Sequence, residues 1–149
     1  DQERGAERLL ASCTFAVAGD PLVVEVVGVL GGRVLPVADA DRVTYHAAAA
    51  IAANHLVAVL AQVERVAGAI GLPLEAFRGL VEGVLLSVDE VGPGAAITGP
   101  AARGDRGTVE AHLAALEPSE RTFYLACARA AADLTDRLPA LDGVEVDPQ

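Results

Sequence analysis

Six side chains in this 149-residue chain combine types and spacings that could do chemistry. Tyr45, His46 and Asn54 lie in an alanine-rich, almost wholly apolar run from Tyr45 to about Ile70. Thr98, Arg103 and Asp105 lie in the glycine-rich stretch Thr98-Gly99-Pro100-Ala101-Ala102-Arg103-Gly104-Asp105. Histidine changes charge near neutral pH, which suits it to general acid or base work. Eight helical residues rise about 12 Å, roughly two turns, so a ligand along the run could meet both His46 and Asn54, with Ala50 leaving room between them. A plainer reading puts His46 at a helix start and Asn54 in a hydrogen bond to a neighbouring helix, and residue type alone favours it. The second stretch could offer backbone N–H groups to an anion beside Thr98 and Arg103. Alternatively Gly99-Pro100 is a turn, Asp105 caps the next helix and Arg103 forms a structural ion pair. These two readings weigh evenly.

Other candidates carry less. His55 follows Asn54 directly and points about 100° away, off any pocket shared with His46. No His-x-x-x-His pair occurs and His112 stands alone, so no metal site is expected. Ser12, Ser87 and Ser119 lack a nucleophile-elbow setting. Cys13 and Cys127 sit far apart in apolar surroundings, which reads as two reduced thiols of a cytoplasmic core.

The net charge of −10 disfavours nucleic-acid and anionic-membrane partners. Hydrophobic residues make up 52% and aromatics only 3%, so Ala, Val and Leu must build the core. All eleven basic residues are arginine. The run to Ile70 raises the membrane question, but His46, Asn54, His55, Gln62, Glu64 and Arg65 interrupt it; a buried helix of a soluble domain is expected. Residue 1 is Asp and no Met occurs, so a trimmed or partial chain is expected.

These side chains need a frame. Asp1 to Leu10 is charged and helix-compatible. Cys13 to Ala18 is β-prone and ends at Gly19-Asp20-Pro21, where Asp20 suits an N-cap and Pro21 the first helical position. A helix over Leu22 to Leu30 ends at Gly31-Gly32, and Arg33 to Val37 forms a second strand whose proline marks an edge or an end. Residues 13 to 37 thus read as β-α-β with parallel strands. From Asp39 the pattern is helical. Asp39 or Asp41 caps the long helix, and Leu74 to Ser87 forms a second with Leu74, Phe77, Leu80, Val81, Val84 and Leu85 on its apolar side. Gly92-Pro93-Gly94 breaks the chain. A third helix spans about Thr108 to Leu116. Ser119 caps a last one to about Arg137, with Phe123, Tyr124, Cys127, Ala131 and Leu134 inward. Leu138 to Gln149 reads as a frayed tail.

The order of elements, Tyr45-His46-Ala47-Ala48-Ala49 with Ala53-Asn54, and the stretch Thr98 to Asp105 together closely resemble the helical domain known as domain of unknown function 2520, over about residues 13 to 137. That resemblance implies a mainly α fold: a short β-α-β from the end of a Rossmann-type sheet, then an all-α bundle of the 6-phosphogluconate dehydrogenase C-terminal-like type. It implies a β-α-β remnant over residues 1–38, a helical substrate and dimerisation domain over 39–138, and a flexible tail over 139–149. Such domains usually follow an NADP-binding domain in bacterial oxidoreductases, and the wider superfamily is similar to ketopantoate reductase and pyrroline-carboxylate reductase. In the ketopantoate reductase pattern a catalytic lysine is followed four and eight residues later by asparagines. Here His46, Ala50 and Asn54 stand at those positions, so the first two depart from it. The resemblance implies His46 as general acid, Tyr45 and Asn54 as substrate-binding groups, and Thr98, Arg103 and Asp105 as pocket-shaping or anion-binding groups. It further implies a cytoplasmic homodimer acting on a small keto acid, hydroxy acid or imine, with NADP or a deazaflavin as hydride donor in the full-length protein. No Gly-x-Gly-x-x-Gly occurs, so neither is expected on this chain alone. The rival reading is a non-catalytic dimerisation or small-ligand-binding module.

Overall fold

The computed structural model of the chain describes residues 13–146, so the predicted lead-in helix and Ser12 lie outside the described residues. Strand β1 (Thr14–Val17) and strand β2 (Arg33–Pro36) pair in parallel, Thr14 opposite Arg33 and Val17 opposite Pro36. Helix α1 (Leu22–Val29) crosses between them. Asp20 accepts the Leu22 N–H through Oδ1 at 2.9 Å, with helical Pro21 between, as the sequence predicts. At the other end the Gly32 N–H reaches the Val27 carbonyl at 3.1 Å and Gly31 takes φ 71°. A side chain at 32 would drive into the Phe15 ring, so the close packing of that ring requires glycine. The β-α-β expectation holds, and Pro36 ends its strand.

The helical run begins with a single 3-10 turn, Asp39–Asp41, and continues as α2 (Arg42–Ala50), a π turn (Ile51–His55) and α3 (Leu56–Gly68). Neither aspartate caps it: Asp41 makes no side-chain cap bond, and Asp39 pairs instead with exposed Arg42 at 3.6 Å. By length and composition the stretch Asp39–Gly68 could cross a membrane, and none of its most apolar window is buried. The expectation of a buried helix is therefore corrected. The chain divides into two compact units between Ala58 and Val59, inside this run, whereas the sequence suggests a boundary at residue 38.

In the second unit a 3-10 turn (Leu74–Phe77) leads into α4 (Arg78–Val91), which starts and ends four residues later than the expected Leu74 to Ser87. Much of its predicted inner stripe faces outward: Leu80, Val84 and Leu85 are all exposed. Gly92, at φ 78°, then breaks the chain before the short helix α5 (Pro93–Ala96). Helices α6 (Pro100–Arg103), α7 (Arg106–Ala115) and α8 (Pro118–Asp133) carry the core, where Ala101, Val109, Leu113, Leu125, Ala128 and Ala132 meet Leu141 and Val144. Three expectations need correction here. Ser119 does not cap α8; Pro118 opens it, and Glu117 takes the cap position without a side-chain bond. The inward face of α8 is Leu125, Ala128 and Ala132, while Cys127 and Leu134 are exposed. Residues 138–146 are not frayed: a 3-10 turn (Leu138–Leu141) puts Leu141 at 1% exposure, and Arg129 holds the Val144 carbonyl at 2.7 Å.

Candidate functional site

The first cluster is written on one helix. Tyr45, His46 and Asn54 are all exposed on α2 and its π turn, as is His55. In an unbroken α-helix, eight residues would leave Asn54 roughly 80° around the axis from His46. A π turn winds more slowly because its hydrogen bonds run i→i+5, so the turn at Ile51–His55 takes back most of that offset. His46 and Asn54 thus come onto one face with Ala50 between them, and His55 stays off it. Exposed imidazole and carboxamide groups on a helix flank can offer a hydrogen bond or a proton to a ligand lying along it.

The glycine-rich stretch folds differently from a phosphate cradle. Gly99 (φ 103°) and Gly104 (φ 71°) bracket the single turn of α6. The N–H groups of Arg103, Gly104 and Asp105 are bonded to the carbonyls of Gly99, Ala101 and Pro100. Asp105 caps α7, accepting the Thr108 N–H at 3.1 Å and its hydroxyl at 2.7 Å. The Thr108 hydroxyl, then its N–H, hold the Asp105 carboxyl below its ordinary pKa, with Arg103 adding a smaller attraction. Thr98 and Arg103 stay exposed. Of the two readings left open by the sequence, the structure shows the turn and the cap.

Two pairings in the second unit escape a sequence reading. Glu120, buried in the first turn of α8, receives Arg65 through Nε and through a guanidinium N–H at 3.0 Å. Gln62 donates to the same carboxylate at 3.1 Å and to the Glu120 carbonyl at 2.9 Å. The Arg65 hydrogen bonds hold the Glu120 carboxyl below its usual range, against an opposing push from burial. His112 is not alone either: its Nδ1 lies 2.7 Å from the Tyr124 hydroxyl, the rings edge-on. Burial raises the Tyr124 pKa and keeps the phenol protonated. A signal for this pair existed in Pro118, since a break between helices sets residues on either side of it against each other.

Comparison with known families now decides the assignment. A model described as domain of unknown function (DUF2520) matches residues 13–131. The chain belongs to that family. Two solved structures share its fold. Protein TM1727 from Thermotoga maritima superposes with a TM-score of 0.76 at 23% identity, covering 91% of this chain and 58% of that one. The putative NADP oxidoreductase BF3122 from Bacteroides fragilis gives 0.68 at 23% identity, covering 78% and 48%. The chain therefore spans about half the length of these proteins. Comparison with curated proteins finds no match. The expected fold, two parallel strands followed by a helical bundle, is the one found.

Proposed function

We propose that this DUF2520 chain is the substrate-binding and dimerisation part of an NADP-dependent oxidoreductase that reduces a small keto acid or imine. The observation that supports the reading is the π turn at Ile51–His55, whose slower winding turns Asn54 toward the His46 side of the exposed helix. His46 gives a proton to the substrate oxygen or nitrogen as it is reduced; Asn54 and Tyr45 orient that group through hydrogen bonds. In the second unit, exposed Thr98 and Arg103 offer donors to an anionic group, and Asp105, held by Thr108, fixes their turn. Dimerisation falls to α4, where Leu80 and Val84, one turn apart, are exposed on one face and Leu85 and Leu86 are exposed around them.

The β-α-β of this chain does not fit the dinucleotide. The N-terminus of α1, where a pyrophosphate would bind, is taken by the Asp20 carboxylate and preceded by Pro21, which has no N–H. NADP then belongs to the rest of the full-length protein. The test is His46→Ala in that protein: turnover falls by about 10²–10⁴-fold, the usual worth of a general acid. Unchanged turnover removes His46 from the chemistry. It would favour the non-catalytic dimerisation module, a reading that the exposed apolar residues on α4 also support.

A further inference from the structure

One cavity is lined wholly by residues of the second unit. Its volume is about 770 Å³, within the roughly 300–1,000 Å³ of small-molecule sites. Val66, Ile70, Phe77, Ala115 and Leu116 are among the apolar residues of its wall. Besides Glu117 and Ser119, the polar groups on it fall into two sets. Arg65 and Gln62 direct their donors to Glu120, so the charges there are already mutually matched. His112 and Tyr124 bond to each other on its wall, and the second ring nitrogen of His112 has no hydrogen-bond partner among the described residues.

We propose that this cavity binds a small, neutral, largely hydrocarbon molecule that presents one carbonyl oxygen to His112. The distance fits either direction of this bond, and in the proposed tautomer the phenol O–H donates to Nδ1, which leaves the imidazole proton on Nε2 as a donor. A neutral acceptor matches it. An anion is disfavoured because Glu117 also lines the cavity and Arg65 is already neutralised by Glu120. This site is independent of His46 and of the oxidoreductase reading, and activity loss at His46 leaves it untouched.

Three probes of one shape decide it in the full-length protein: acetonaphthone (ketone), ethylnaphthalene (no oxygen) and naphthoate (anion), titrated while the methyl resonances of Val66, Ile70 and Leu116 are followed by NMR. The ketone is expected to shift these signals and to bind about fivefold tighter than the hydrocarbon, the worth of one modest hydrogen bond. His112→Phe, at an exposed position, is expected to erase that preference while leaving hydrocarbon binding in place. Ala115→Trp, also exposed, is expected to weaken both. Equal affinity for ketone and hydrocarbon, tighter binding of naphthoate, or shifts confined to the exposed leucines of α4 would each overturn the proposal. So would a preference that survives His112→Phe.

Discussion

Helices α2 and α8 are both rich in alanine, yet they are used in opposite ways. Ala47, Ala48 and Ala49 are exposed, while Ala128 and Ala132 stand at 7% and 0% exposure, packed with Val109, Leu113 and Leu141. Alanine makes a helix cheap to form in both places because it loses no side-chain entropy. In α8 its small size lets neighbouring helices approach. In α2 the same small size leaves the flank between His46 and Asn54 open. The contrast teaches that helix propensity and burial are separate properties. The same residue type builds a tight core where a partner element exists and a clear surface where none does.

The comparison can be broken in several ways. The largest effect expected is on turnover, from His46→Ala as given above, because it removes the group that the open surface displays. Next comes the core side. Leu141→Ala should cost about 3 kcal/mol in denaturant unfolding, as expected of a fully buried leucine. A loss under about 1 kcal/mol would mean that residues 138–146 do not share the core. A matched pair probes the two alanine faces directly. Ala132→Leu should destabilise by about 1–3 kcal/mol through overpacking, whereas exposed Ala48→Leu should stay within about 0.5 kcal/mol. Similar costs at both positions would show that the α2 flank is covered.

The smallest effect concerns the Glu120 network. Its carboxyl is held below its unfolded pKa chiefly by Arg65, so the bonded form stabilises the fold above the unfolded value of about 4.3. That contribution is lost as pH falls through the folded pKa. Thermal melts of the wild type and Glu120→Gln should therefore differ at pH 7 and converge as pH falls from the unfolded value of about 4.3 through the lower folded pKa. A gap that persists in acid would assign the stabilisation to shape rather than charge.

Much of the frame was legible because it is written in local backbone rules. Gly19, Gly31, Gly92 and Gly104 sit at positive φ, and each coincides with a break read from the sequence. Asp105 caps α7 because a carboxylate three residues ahead of Thr108 reaches its N–H. Asp39, Asp41 and Ser119 had equal chemical fitness to cap, yet none does, because cap geometry depends on where the chain arrives from. The π turn carries no marker in Ile51-Ala52-Ala53-Asn54-His55, whose residues suit an ordinary helix.

The sequence alone thus determined the glycine breaks of the chain, the β-α-β order, and which polar residues interrupt the apolar helix. These depend on φ/ψ limits and on bonds spanning a few residues. Only the tertiary structure decided which alanines are buried, that Leu141 and Val144 close the core, that Glu120 meets Arg65 across 55 positions, and that His112 meets Tyr124. Those outcomes depend on partners distant in the chain, whose energies exist only once the helices have packed.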